Sequence, residues 1–302
     1  MIRYLRISVL SLFLFSIVLL SGCNQQPQQI QQSLDSENVS TIPLPSPEPS
    51  ITPTETVDSV QGWAVLAEKD DFSDVGMTDM LVDYISNKVL SETLVKAGWD
   101  AENIHELDGF DRASLEQELD WLEEVADEND IVFFYVASHG NHLIYNIAWD
   151  EFFKEQWSQI PSQRRVLMLD TCTARQFTDT VMDDPGLQLT IASVDIDEFS
   201  WRGIEEEGLP IIGGVFTYYF AEAFSTLEAD TDGNNLVSVQ EATLYAEERQ
   251  QKYMHEVVWA VPEFIEPYHQ MGLHPENDPE YPDVIMNDTL SEPLYFDLAF
   301  YQ

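Results

Sequence analysis

Apolar and polar positions change period several times along the chain. Residues 62–67 form a short apolar run, which predicts a buried strand. In residues 78–97, Met80, Leu81, Tyr84 and Ile85 fall on one helical face, and Gly98 marks a stop. Residues 103–107 predict a weaker second strand. Asp111 is placed to cap a helix whose Leu115, Leu119, Leu122 and Ala126 recur at helical spacing. Residues 131–137 are apolar without alternation, as in a parallel strand covered on both faces. A segment carrying Trp149, Phe152, Phe153 and Trp157 predicts another helix. Residues 166–169 and 189–193 predict two further buried strands, and 215–224 an aromatic-rich buried helix. Strands alternating with helices predict an α/β fold: a mostly parallel central sheet with helices on both faces.

Upstream of this pattern the chain changes character. Arg3 and Arg6 precede an almost unbroken apolar run over residues 7–20, short for a membrane span and suited to a signal segment. The run ends in Leu20-Ser21-Gly22-Cys23, which resembles a bacterial lipobox. That resemblance implies removal of residues 1–22, a diacylglycerol on the Cys23 sulfur and an extracytoplasmic, membrane-anchored protein. Residues 23–60 are rich in Gln, Ser, Thr and Pro and offer no core; they read as an extended, disordered tether. Residues 61–302 are then the folded domain.

Charge narrows the partners. The chain has 302 residues, with 13 Lys+Arg against 55 Asp+Glu, a formal charge of −42. Loss of residues 1–22 removes two arginines and no acids, giving 11 − 55 = −44. Such a surface repels nucleic acid and anionic lipid and attracts cations and basic peptides. The simpler meaning of the acidity is solubility.

Two of the buried strands run into reactive groups. Residues 131–137 lead into Ser138-His139-Gly140, and residues 166–169 into Asp170-Thr171-Cys172. Ligand sites in such sheets form beyond the carboxyl ends of the strands. His139 and Cys172 are 172 − 139 = 33 positions apart, about one crossover unit. Adjacent parallel strands would bring them together. A thiol attacks as thiolate, which a neighbouring imidazole supplies. Acyl transfer also needs donors for the developing oxyanion, and the N–H groups of Gly140 and Cys172 are candidates. Each residue alone also has a plain structural reading, a small buried thiol and a loop histidine.

In this arrangement Phe134-Tyr135-Val136-Ala137-Ser138-His139-Gly140 resembles the catalytic-histidine strand of caspase-fold cysteine peptidases. Leu167-Met168-Leu169-Asp170-Thr171-Cys172 resembles their catalytic-cysteine strand. Residues 189–193 and 213–220 resemble the next strand and helix of bacterial legumain-like and metacaspase-like members. The resemblance spans residues 62–250 in matching order. It implies a caspase-like three-layer sandwich and an endopeptidase with a Cys-His dyad: His139 as base, Cys172 as nucleophile, Gly140 in the oxyanion hole and no cofactor for catalysis. It also implies a protein or peptide substrate, with Asp170 and, more weakly, Ser193 lining the primary specificity pocket. Legumains carry an arginine after the first strand, and residues 68–79 contain none. An acidic pocket without it favours substrate Arg or Lys, and Asp79 would add to it. Thr173-Ala174-Arg175 departs from the small pair the family often has after the cysteine, and Arg175 would partly neutralise the pocket.

A separate motif lies at residues 230–241. Asp230, Asp232, Asn234, Ser238 and Glu241 supply oxygens at loop positions 1, 3, 5, 9 and 12, and Leu236 a backbone carbonyl. This fits the EF-hand calcium template, with Asn235 where glycine is usual. The alternative is an acidic turn without metal. Residues beyond about 252 read mostly as loop, with residues 294–296 as a terminal strand or a cover on the core. His255, His269 and His274 are too irregularly spaced to argue for zinc. Two other functions fit the same chain. One is a catalytically inactive caspase-like surface module that binds cations or proteins. The other is a thiol amidase acting on cell-wall peptides.

Overall fold

The structure, a computed structural model, describes residues 59–73, 85–140, 149–182, 186, 188–203 and 213–302. The signal segment, Cys23, almost all of the tether and Asp79, Met80, Leu81 and Tyr84 lie outside the described residues. No helix among the described residues is long and apolar enough to cross a membrane.

The alternating pattern folds as expected. The strands are β1 (Gly62–Glu68), β2 (Ile104–Asp108), β3 (Ile131–Ala137), β4 (Arg164–Asp170), β5 (Gln188–Ala192), two short strands β6 (Arg202–Gly203) and β7 (Gly213–Gly214), and β8 (Ile285–Asp288). The helices are α1 (Ile85–Lys96), α2 (Arg112–Val125), α3 (Trp149–Trp157), the single turn α4 (Arg175–Thr178), α5 (Val215–Ala223), α6 (Val239–Tyr253) and α7 (Pro262–Gln270). One sheet runs in the order β2-β1-β3-β4-β5-β8. Its pairs are parallel from β2 through β5, and β8 closes the edge antiparallel to β5. β6 and β7 form a separate antiparallel pair.

The apolar run of β3 is buried at every residue because both faces are covered. Successive side chains point to opposite faces. Phe133 and Tyr135 join Leu66, Met168 and Ile191 in a core roofed by α1, α5 and α6. Val132, Phe134 and Val136 join Val65, Leu167 and Leu169 under α2 and α3. α2 begins with a capping box, in which the Asp111 carboxylate accepts from the Ser114 N–H (2.9 Å) and the Ser114 hydroxyl accepts from the Asp111 N–H (2.9 Å).

The C-terminal region is more ordered than its sequence suggests. α6 runs into a π-turn at Met254–Val258, and α7 follows with prolines at both 262 and 267. Two prolines within nine residues hide the helix, although Pro262 at its first turn is well tolerated. Leu294 and Phe296 cover the first core rather than extend the sheet. The Trp99 indole donates to the Phe296 carbonyl (2.8 Å), and Phe133 and Phe296 rings lie 5.1 Å apart.

Candidate active site

Register brings the two reactive groups to one edge. Ala137 of β3 pairs with Asp170 of β4, so His139 and Cys172 each lie two residues beyond a paired position. Contact between the two tips is tight: a Cβ built on Gly140 would run into the Cys172 carbonyl oxygen. Only glycine allows the residue after His139 to approach the Cys172 backbone this closely. The His139 ring is held against Phe72, 4.6 Å between ring centres, beyond the end of β1.

The turn after Cys172 is strained. Thr173 has φ +56, a left-handed conformation that a β-branched residue rarely adopts. Its N–H donates to the Glu198 carbonyl (2.8 Å), which fixes the departing chain. Arg175 pairs with Asp195 beyond β5 (3.1 Å) and with Asp179 (3.3 Å), so its charge is matched by two carboxylates.

The same register row supplies a polar network beneath the thiol. Glu68, Ala137 and Asp170 are partners across three adjacent strands. Glu68 and Asp170 therefore flank Ala137 on one face. Asp170 is 3% exposed. Its carboxylate accepts from the Ser200 hydroxyl, the Thr217 hydroxyl (2.7 Å) and the Thr217 N–H (3.4 Å). Thr217 is the third residue of α5, whose N-cap is Gly214. Asp170 thus performs the capping that glycine cannot. A Cβ on Gly214 would strike that carboxylate. The Thr217 hydroxyl also lies 3.0 Å from the Tyr135 hydroxyl.

Arg202 of β6, a residue the sequence reading did not single out, enters this row. Its guanidinium pairs with Glu68 and lies 3.6 Å from Asp70. This arginine comes from 134 positions after Glu68 in the chain (202 − 68 = 134). The signal available in the sequence was an arginine within Ser200-Trp201-Arg202, next to aromatic residues, in a chain with only 13 basic residues. Ser193 does not line an open pocket. It is fully buried at the end of β5, where its carbonyl accepts from the Gln250 amide (3.0 Å).

Cys172 is half-buried. Burial pushes its thiol up to about 11, and Asp170 adds to the rise; the Ser200 backbone and Arg202 pull partly back. The thiol lies 4.0 Å from the Ser200 carbonyl. Burial therefore works against the thiolate. Aromatic residues of α7 close this side: Tyr268 packs on Phe199 (5.9 Å) and Phe264 on Trp201 (5.5 Å). The Phe199 N–H donates to the Tyr281 hydroxyl (3.4 Å). Beside them, Glu198 accepts from the N–H groups of Asp195 (3.1 Å) and Asp283 (2.8 Å) through one oxygen. Burial lifts its carboxyl to about 7, with Asp283 and Asp195 adding to the rise.

The loop at 230–241 gathers its acids. One oxygen each of Asp230, Asp232 and Glu241 lies within 4.8 Å of the others. Asp230 accepts from the N–H groups of Gly233 (2.8 Å) and Asn235 (2.9 Å), and Asn235 takes φ +68 in place of the usual glycine. The Asn234 side-chain oxygen accepts from the Leu236 N–H (2.7 Å). Glu241 also closes a capping box with Ser238 at the start of α6. Burial works to raise the Glu241 carboxyl, but hydrogen bonds from Ser238 and Thr231 hold it at about 2. A divalent ion would replace these N–H donors at Glu241 and Asp230, and the oxygen-only donor set suits calcium.

A parallel sheet between helix layers, with a thiol and an imidazole on adjacent strand tips, is the arrangement of the caspase-fold cysteine peptidases. Residues 62–259 match the family model described as the caspase domain, and the chain belongs to that family. Among solved structures the chain is similar to caspase-1 from Spodoptera frugiperda, with a TM-score of 0.51 and 12% identity over 78% of this chain and 92% of that one. No curated protein sequence matches the chain.

Proposed function

We propose that this protein is a cysteine endopeptidase in which Cys172 attacks the scissile carbonyl and His139 is the base. The observation behind this reading is the register that sets both residues two positions past a paired row, with Gly140 against the Cys172 backbone. The thiol proton passes to the His139 imidazole as sulfur bonds to the carbonyl carbon. The Gly140 and Cys172 N–H groups donate to the oxyanion. The imidazolium then protonates the leaving amine, and water hydrolyses the thioester.

Substrate choice follows from charge. The carboxylates of Glu68, Asp70 and Asp170 stand around the single guanidinium of Arg202, an excess of acid beside the thiol. That excess favours Arg or Lys before the cleaved bond. A peptide library differing at that position tests both parts. Cleavage after basic residues, lost in Cys172→Ala and His139→Ala, is the expected result. Undiminished cleavage by either variant overturns the mechanism, and cleavage only after acidic residues overturns the specificity.

The raised pKa of the half-buried thiol favours a second reading, an inactive caspase-like binding module. Alkylation by iodoacetamide separates the two. A sulfur that stays much slower than a free thiol even with substrate peptide bound matches the module, because burial raises its pKa and leaves little thiolate. Acceleration by bound peptide matches the enzyme.

Two further parts of this reading concern the setting of the enzyme. Calcium at residues 230–241 is structural and stabilises the start of α6. It rests on the convergence of Asp230, Asp232 and Glu241 and on the ligand order of the loop. Lipid attachment at Cys23 and an extracytoplasmic location rest on the Leu20-Ser21-Gly22-Cys23 sequence alone. Cys23→Ala is expected to shift the protein from the membrane fraction to the soluble one.

A further inference from the structure

Beyond residue 259, outside the matched caspase domain, the chain brings together three donors that the peptidase chemistry does not use. α7 ends at Gln270, and the chain turns back sharply. The Gly272 N–H donates to the His269 carbonyl (3.0 Å) and the Leu273 N–H to the Tyr268 carbonyl (2.9 Å). The reversed chain passes through His274 into a 3-10 turn at Pro275–Asn277. As a result, one Glu276 oxygen lies 3.0 Å from His269 Nε2 and 3.3 Å from His274 Nδ1. All three donor atoms fall within 4.8 Å of one another. The two imidazole rings lie 4.7 Å apart.

We propose that His269, His274 and Glu276 form a binding site for a divalent transition-metal ion of the zinc class, with water in the fourth position. The geometry carries the argument. Zinc bonds of about 2.0–2.2 Å in a tetrahedron place neighbouring donors roughly 3.3–3.5 Å apart. The two histidine-to-glutamate separations are close to that length, and the two histidine nitrogens lie within 4.8 Å of each other. Two imidazole nitrogens and one carboxylate are a zinc-type donor set, whereas calcium takes six to eight oxygens. This separates the site from the loop at 230–241. Each ligand is partly open to solvent, His274 at 56%, so an ion has an entry path and room for water.

The site has a structural consequence. It would tie the end of α7 to the turn that follows. Tyr268, next to His269, packs on Phe199, and Phe264 of the same helix packs on Trp201. The metal would therefore stiffen the element that closes the side of Cys172. The spacing hides this from the sequence, because the ligands are joined by a chain reversal rather than by one helical face.

Calorimetric titration of the full chain with zinc tests the proposal without any activity readout. Cys172→Ala removes a competing thiol, and excess calcium occupies the loop at 230–241. The expected result is one zinc per chain, with affinity falling at least tenfold in His269→Ala and in His274→Ala. Loss of a second-shell partner alone typically costs about 10–100-fold, so removal of a ligand should reach that range. His105→Gln, on β2, is expected to leave affinity unchanged. Cobalt substitution should give the visible absorption of a tetrahedral site in the parent and not in the variants. No zinc uptake, or uptake equal in parent and both variants, overturns the proposal and leaves only hydrogen-bonded surface pairs.

Discussion

Two clusters of three carboxylates among the described residues are built in opposite ways. Glu68, Asp70 and Asp170 are buried, and the fold supplies Arg202 among them. Of Asp230, Asp232 and Glu241 the first is half-buried, the second exposed and the third buried, with N–H and hydroxyl donors and no Lys or Arg ion pair among the described residues. Burial explains the difference. A carboxylate taken out of water needs a counter-charge or several strong hydrogen bonds, so the inner cluster must carry its cation in the chain. The outer cluster is open to solvent at Asp232 and meets its charge with hydrogen bonds from its own loop. The inner cluster is therefore a fixed part of the candidate active site, and the outer one an adjustable part of the scaffold.

Removing the built-in cation is the harshest test of that contrast. Arg202→Met leaves Glu68 and Asp70 buried without that counter-charge. Breaking a buried pair costs about 3–5 kcal/mol, which denaturant unfolding should detect as a large drop in midpoint. Glu68→Gln added to Arg202→Met is expected to restore part of the loss. Equal stability of parent and Arg202→Met would show that the cluster is wet and that the contrast fails.

A smaller effect is expected at Glu198, an acid with no cation partner among the described residues. Its folded carboxyl, at about 7, lies above the ordinary 4.5. The fold therefore favours the protonated form. Its contribution to stability is complete below pH 4.5 and is lost as pH rises through 7. Glu198→Gln keeps an oxygen for the Asp195 and Asp283 N–H groups. The variant should match the parent near pH 4.5 and exceed it by roughly 2 kcal/mol near pH 8, read from unfolding curves at the two pH values. A gain of the same size at pH 4.5 would contradict the titration.

The smallest effect concerns strain. Thr173→Gly releases a residue at φ +56 and is expected to stabilise the fold by about 1 kcal/mol, offset in part by glycine's greater unfolded entropy. If the strain positions Cys172, the same variant will lower turnover while raising the thermal midpoint. Unchanged turnover would place the strain outside the mechanism.

How much of this was legible depends on the range of the contacts. The apolar, non-alternating run of residues 131–137 announced a strand covered on both faces, and the strand is buried throughout. The Asp111 cap was readable because its partner Ser114 is three residues away. The strand order that places His139 beside Cys172 followed from crossover length. What sequence spacing missed is long-range or reversed. Arg202 reaches Glu68 across 134 positions, and Asp170 caps a helix that starts 45 positions later (215 − 170 = 45). Ser193 ends a strand near the site, yet the packing of Gln250 buries it. His269 and His274 meet only because the chain doubles back after α7.

The central claim is that Cys172, with His139 as its base, reacts with a peptide carbonyl bound at these strand tips. Its most direct measurement is the intact mass of the protein after reaction with an irreversible peptidyl ketone carrying arginine next to the reactive carbon. The account predicts one adduct per chain, mapped to Cys172, formed far more slowly in His139→Ala and not at all in Cys172→Ala. A chain that remains unmodified, or an adduct formed equally fast without His139, would contradict it.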